Sequence, residues 1–354
     1  MKRKLLRTLL FGVLTVWGFG PETALASTEW DEFDAGPFSV GTSSSRWSYF
    51  VQGSFVSDDG ITSYPAEGTL RIVSKGINPT TGKPAFTRTV PQTGGGVDGA
   101  MDHVKWLVYM NHKASSGYLG FDSLPNSEVR CEATLTGQIH GVDNHPFGGA
   151  VSQPNADARL AAFALNTADF ETGMVFDFFF TNEKVYAVYE RLPFMRTSTN
   201  RYAAFTYLIP VATRTPSTVH DARIEYDQGN ARVRWKLQGN TVFEVSRIGR
   251  RIDRQYLLID HGGVEQLVAP RQLACGMGTF TLLDGYSPSL GKGLARLSSA
   301  PSHYFLPNLG EPYALSFVDE YSQASSRLFG QGVDFRVSKY TYSSSTSTLT
   351  DASP

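Results

Sequence analysis

The chain has 354 residues, 41% hydrophobic and 12% aromatic, which is enough for a sizeable core and suits one large β-domain or two ordinary domains. Its formal net charge is −1, with no basic run beyond the first seven residues, which excludes the clustered positive surface of a nucleic-acid binder. The 34 glycines and 18 prolines sit above average usage and suit many turns, and no amphipathic stretch of helical period is present.

The first residues read as an export leader. Lys2, Arg3, Lys4 and Arg7 precede an apolar segment at 9–19 and then Ala24-Leu25-Ala26, a small-x-small cleavage site. The segment is too short and wrongly flanked to span a membrane, so residues 1–26 are expected to be a signal peptide. Cleavage after Ala26 removes four basic residues and one acid, leaving a mildly acidic secreted or extracytoplasmic protein of net charge −4 with no later membrane span. Its oligomeric state is not legible.

Residues 30–50 form an entry segment anchored by Phe33, Phe38, Trp47, Tyr49 and Val51. A short strand at 70–73 precedes a loop at 76–99, where Asn78-Pro79-Thr80-Thr81-Gly82 and Thr93-Gly94-Gly95-Gly96 carry turn chemistry. The stretch from Asp102 to His112 then mixes polar and aromatic groups. Alternation of apolar and polar residues predicts strands at 128–136, 161–165 and 203–211 and a hairpin at 174–189. Residues 223–245 read as a three-stranded antiparallel meander. Its first loop, Asp227-Gln228-Gly229-Asn230, pairs Ile224 with Val233, and its second, Gln238-Gly239-Asn240, pairs Val233 with Val245 and Trp235 with Phe243. Arg223, Glu225, Arg232, Arg234, Lys236 and Glu244 share the opposite face. Strands at 277–283 and 332–342 follow, the latter placed to close a sheet near the amino terminus, and 343–354 is a Ser/Thr-rich tail expected to be disordered. About a dozen short strands without a linker predict one all-β domain over residues 28–342, a sandwich or barrel.

Cys131 lies on an alternating run and Cys275 in another apolar context. They are either buried free thiols, packing as small hydrophobes, or a single bridge between distant strands. Neither has a partner at zinc-site spacing.

The stretch from His220 to Val245 resembles the corresponding part of concanavalin A-like jelly rolls, a group that includes legume lectins, laminin-G-type modules and the laminarinase and lichenase glycoside hydrolases. Residues 129–136 resemble an earlier strand of that fold, and 30–49 its first. The resemblance implies an antiparallel β-sandwich. The combination Asp102-His103-Val104-Lys105-Trp106, Phe147-Gly148-Gly149-Ala150, Asp260-His261-Gly262-Gly263 and Cys275-Gly276-Met277-Gly278 is similar to a family of exported microbial proteins of unknown function, over nearly the whole mature chain. Hydrolases of the jelly-roll group carry acid and nucleophile in a Glu-x-Asp-x-x-Glu strand. Here the nearest strand reads Val175-Phe176-Asp177-Phe178-Phe179-Phe180, and the motif is absent.

The 174–189 hairpin nevertheless supplies the first candidate site. With its turn at Asn182-Glu183, Phe176, Phe178, Phe180, Val185, Ala187 and Tyr189 share an apolar face, and Asp177, Phe179, Tyr186, Val188 and Glu190 share the other. Carboxyls among aromatic rings on a concave sheet suit a sugar, with rings stacking on its faces and carboxylates accepting its hydroxyl protons. The bland alternative is that these acids pair with Arg191, Arg196 or the Arg232-Arg234-Lys236 row. The second constellation is His103 and His261, each beside an aspartate that could orient it as a general base. Candidate catalytic residues are therefore Asp177, Glu190, His103 and His261, and candidate ligand contacts Phe179, Tyr186, Trp106 and Arg234. No phosphate loop or dinucleotide fingerprint implies a cofactor, and no spacing implies a metal. Three readings follow: a carbohydrate-binding or carbohydrate-active protein, a small-molecule cyclase or isomerase with an apolar pocket, and a non-catalytic interaction protein of the cell exterior.

Overall fold

A computed structural model describes residues 26–33, 38–41, 44–66, 68–91, 102–283 and 326–346. These form two antiparallel sheets packed face to face, an all-β sandwich of the jelly-roll type. The eight-stranded sheet runs in the order Asn240–Ser246, Arg232–Leu237, His220–Asp227, Ser127–His140, Gly332–Thr346, Thr69–Val73 and Ile61–Ala66, with Ala26–Asp31 also on Gly332–Thr346. The nine-stranded sheet runs Leu257–Asp260, Phe205–Thr213, Lys184–Arg191, Met174–Phe180, Ala162–Asp169, Gln272–Phe280, Val104–Met110 and Trp47–Tyr49, with Phe121–Asp122 on Gln272–Phe280. The strand expected to close a sheet near the amino terminus does so. It runs on to Thr346, so Ser343–Thr346 belong to the sheet rather than to the tail. The leader and the remaining tail residues lie outside the described residues.

Strict alternation makes the long Ser127–His140 strand. Val129, Cys131, Ala133, Leu135 and Ile139 point into the sandwich, while Glu128, Arg130, Glu132, Thr134 and Thr136 point out. The facing sheet contributes Phe163, Leu165, Phe176, Phe178, Phe180, Tyr189, Phe205, Trp106 and Val108 to the same core. Polar ties cross the core as well. Trp235 Nε1 donates to the Asp177 carbonyl at 2.8 Å, and the Tyr340 hydroxyl donates to the Gly276 carbonyl at 2.6 Å. Cys131 and Cys275 are bridged and join the two sheets across 144 positions of chain, a constraint that removes roughly 5 kcal/mol of freedom from the unfolded state in the loop-entropy model.

The meander forms with one change of register. Val233 faces Val245 and Trp235 faces Phe243 as expected, but Val233 faces Tyr226, not Ile224, which faces Trp235. The first loop is thus Gln228–Ala231, one residue later than expected. Asp227 accepts the Asn230 amide at 3.1 Å and its side-chain amide at 2.7 Å, and Ala231 takes a left-handed φ of 47°. Because the pairing shifts by two residues, every side chain keeps its face. Of the entry-segment anchors, Phe33 and Trp47 are buried whereas Val51 is exposed.

Candidate functional site

The Met174–Phe180 and Lys184–Arg191 hairpin lies at the middle of the nine-stranded sheet, with the expected register: Asp177 opposite Val188, Phe179 opposite Tyr186, Val175 opposite Glu190. Its even-numbered face on the first strand fills the core. The other face looks away from the sandwich and carries Val175, Asp177, Phe179, Tyr186, Val188 and Glu190. Extending the rows across neighbouring strands gives the site. One row runs Tyr109, Gly276, Asn166, Asp177, Val188, Leu208; the next places Glu190 between Val175 and Thr206. Gly276 is required in that row. A Cβ there would meet the Val108 carbonyl oxygen at 2.4 Å and a ring carbon of Tyr109 at 2.7 Å, so the tyrosine ring lies against bare backbone beside Asn166.

Asp177 is 2% exposed. One carboxyl oxygen accepts the Thr167 amide at 2.8 Å and the other the Asn166 side-chain amide at 2.6 Å. Glu190 keeps part of its surface open and accepts the Thr206 hydroxyl. Neither acid forms an ion pair among the described residues. Burial therefore dominates both. It pushes the Asp177 carboxyl well above the usual carboxylate range, the Thr167 and Asn166 hydrogen bonds opposing and the charge of Glu190 adding. It also raises Glu190, against the Thr206 hydrogen bond and the charge of His103. The phenol of Tyr109 is likewise held protonated by burial and by the charges of Asp177, Tyr340 and Glu190. Asp177, Glu190 and Tyr109 thus act on one another on this face.

Around them the surface is apolar. Phe179 stacks on Phe280 with ring centroids 5.0 Å apart, and Leu107, Ala164, Val175 and Val188 complete the floor. At one end the face opens into a groove of about 300 Å³ lined by Tyr186, Leu208, Leu258, Ser152, Gln153 and the Asp157 and Arg159 pair. The Tyr186 hydroxyl donates to the Ala156 carbonyl at 2.5 Å, and burial pushes its phenol up to about 12. Leu208 shares the Asp177 row, so the groove abuts the acids.

The structure brings together Asp177, Glu190, Phe179 and Tyr186. His103 lies just before Val104–Met110, away from the Asp177 row, and acts on Glu190 through its charge, and the other expected site residues are separated from the four. Trp106 points into the core against Phe38 and Phe335, because it alternates with Lys105 and Leu107 along its strand. Arg234 lies on the outer face of the other sheet, bound to Glu128 and Glu225. His261 follows the edge strand Leu257–Asp260, two strand spacings or roughly 10 Å from the Glu190 strand. Its carbonyl accepts Arg196, and its neighbour Asp260 is claimed by Arg251 and the Gly262 amide. Asp102 is likewise claimed, by Lys105, the Thr89 amide and hydroxyl and the Val90 amide. Sequence adjacency of Asp and His therefore marks braced turns. The residues missed by sequence reasoning are Asn166, Thr206 and Tyr109. Alternation within Val104–Met110 could have placed Tyr109; the other two need the cross-strand register.

A family model described as "Family of unknown function (DUF6081)" matches residues 30–346, and the chain belongs to that family. "Uncharacterized protein L829" of Acanthamoeba polyphaga mimivirus is 29% identical over 262 residues, which cover 58% of this chain; the chain spans just 57% of that relative. Among solved structures, a sialidase matches 86% of this chain but 17% of its own, at 7% identity and a TM-score of 0.35. Alginate lyase A1-II′, a member of polysaccharide lyase family 7, matches 84% of each chain at 8% identity and a TM-score of 0.35. Likenesses this remote carry no argument about activity, and the sandwich stands on its own strand order.

Proposed function

We propose that this protein binds a carbohydrate along the outer face of the nine-stranded sheet and acts on it by proton transfer. The observation that carries this reading is the pair of carboxyls, Asp177 and Glu190, diagonal on one face of the central hairpin, the first buried and the second half-buried, neither in an ion pair among the described residues and both raised above their usual range. A neutral carboxylic acid can donate to a glycosidic or hydroxyl oxygen, which an ion-paired carboxylate cannot. Diagonal cross-strand neighbours stand roughly 7 to 8 Å apart at the backbone. Side-chain rotation from there spans the carboxyl separations, about 5 to 9 Å, used by retaining and inverting glycosidases. In this reading Asp177, fixed by Asn166 and Thr167, is the donor; Glu190, hydrogen-bonded by Thr206, exchanges the proton; Phe179 and Tyr186 offer rings to the sugar.

One observation favours a second reading. The belt of Val175, Phe179, Val188, Leu107 and Phe280 around the acids would equally hold an apolar polycycle for a cyclase or isomerase. One screen separates the two. The protein is incubated with a pool of oligosaccharides and a pool of apolar polycyclic metabolites, and binding is read by thermal shift and native mass spectrometry. A glycan shift that disappears in the Asp177→Asn, Glu190→Gln double variant supports the first reading. A shift with apolar metabolites alone removes it and leaves the second, and a glycan shift that survives the double variant removes these acids from the site. Export belongs to the same proposal, supported by the leader and by the Cys131–Cys275 bridge, which suits an oxidising compartment. Amino-terminal sequencing of the secreted product should begin at Ser27.

A further inference from the structure

Three loops at the Leu257–Asp260 edge of the nine-stranded sheet are stitched into one surface. In the first, after Lys184–Arg191, the 3₁₀ turn Pro193–Met195 leads to Tyr202, which pairs with Val264 of the third loop; the Ala203 amide donates to the Val264 carbonyl at 2.7 Å and the Val264 amide to the Arg201 carbonyl at 2.9 Å. The second, following Asn240–Ser246, joins the third through the Val268 amide and the Ile248 carbonyl at 2.9 Å. Arginines brace the joints from within. Arg191 stacks on the Tyr202 ring at 3.9 Å and donates to the Gln266 carbonyl, Arg196 donates to the Tyr202 and His261 carbonyls, and Arg251 holds Asp260 with two hydrogen bonds.

What this braced base displays is of two kinds. Phe194 is 58% exposed, Met195 38%, Val264 50% and Leu267 58%. Among them Arg201, Arg247 and Arg254 are exposed. Of the seven arginines in residues 191–204 and 247–270, these three are exposed, beside the exposed carboxylates of Asp253 and Glu265, in a chain whose formal net charge is −1. Large apolar side chains protruding from a rigid base, with three exposed arginines against two exposed carboxylates, match a surface with anionic head groups over hydrocarbon. A soluble polyanion would use the arginines and leave Phe194, Met195 and Leu267 without a role. A second copy would bring arginines against arginines.

We propose that this edge docks the protein on an anionic lipid surface, with Phe194, Met195, Val264 and Leu267 entering the head-group layer and Arg201, Arg247 and Arg254 holding lipid phosphates. The docking is peripheral and independent of the acids on the sheet face. It is tested by co-sedimentation of the purified protein with phosphatidylcholine vesicles that contain or lack phosphatidylglycerol. Binding is expected with phosphatidylglycerol only and weakens as salt rises. The Phe194→Asp, Met195→Asp variant should lose at least about tenfold in affinity. Replacing Arg201, Arg247 and Arg254 by Gln should cost about fivefold each, so about a hundredfold together. All these positions are at the surface, and unchanged melting curves will show that the variants fold. Equal sedimentation with neutral vesicles, or none with either, overturns the proposal. Binding that needs the arginines but survives Phe194→Asp, Met195→Asp overturns it in favour of a soluble polyanion. A concentration-dependent dimer abolished by that apolar variant overturns it in favour of self-association.

Discussion

On the outer face of the eight-stranded sheet Glu225 is 1% exposed, and Arg130, Arg223, Arg234 and Lys236 approach its carboxylate within 3.1 to 3.5 Å. On the outer face of the nine-stranded sheet Asp177 is buried to the same degree and has amides alone for company. The consequences are opposite. Burial works against the charged form of Glu225, but the Arg223 hydrogen bond and the charges of Lys236, Arg130 and Arg234 outweigh it and hold the carboxyl below its usual range. Nothing outweighs burial at Asp177, which is driven well above. The first arrangement is what a sheet needs to keep alternating charges on a wet face. The second leaves a buried carboxyl with hydrogen bonds but no opposite charge, the kind of perturbed group that the proposed function draws on. The bland alternative, acids paired along a solvated face, is thus true of one sheet and false of the hairpin.

The largest effect that would break this contrast is at Glu225. Replacement by Gln preserves shape but leaves four cations around a neutral group, and a loss of about 2 to 4 kcal/mol is expected in urea unfolding at neutral pH. The pH dependence follows from the sign of the shift. A carboxyl whose folded value is depressed contributes stability that is present above its unfolded value and lost as pH falls through the folded one. The gap between the parent protein and Glu225→Gln should therefore close below about pH 4.5, the ordinary glutamate value. A gap that stayed constant down to lower pH would mean that the four cations do not hold Glu225 ionised.

How much of this could be read from the chain divides at the range of the interactions. The face split of the 174–189 hairpin follows from alternation and turn placement, so Asp177, Phe179, Tyr186 and Glu190 were legible together. Register across a loop is harder. The Asp227 side chain captures Asn230 and pushes the loop one residue on, and nothing in the spacing of apolar residues distinguishes that from the register expected. Sheet membership is harder still. Arg234 and Asp177 both sit opposite apolar faces on neighbouring hairpins in sequence, yet the Trp235 indole that reaches the Asp177 carbonyl does so across the whole core, which puts Arg234 on the far side. The aspartates beside His103 and His261 are engaged by other groups for a simpler reason. Neighbours in sequence diverge in a turn or strand, and each carboxylate closes its own loop.

A smaller effect of opposite sign is expected at Asp177. A buried acid with a raised folded value loses stability as pH climbs from the unfolded value, 3.8, towards the folded one, because the folded state must either keep the proton or bury a charge. Asn cannot ionise, it can still accept the Thr167 amide, and a turn of the Asn166 amide restores the second bond. Asp177→Asn should therefore match the parent protein near pH 4 and exceed it at pH 8, by on the order of 1 kcal/mol, while any ligand response disappears. A variant less stable than the parent at both pH values would make Asp177 a structural residue and erase its difference from Glu225.

The smallest effect discriminates most finely, because it concerns a residue expected in the site and found elsewhere. Arg234 touches Glu128 and Glu225, both of which keep other cations: Arg130 on the first, and Arg130, Arg223 and Lys236 on the second. It is itself 22% exposed, so water replaces part of what it loses. Arg234→Gln should then cost about 0.5 to 1 kcal/mol in unfolding, well under the cost of Glu225→Gln, and leave every ligand shift unchanged. A cost as large as that at Glu225 would mean that Arg234, not the carboxylate, organises the network. A lost ligand response would mean that binding reaches the outer face of the eight-stranded sheet, and the division of labour between the two faces would have to be redrawn.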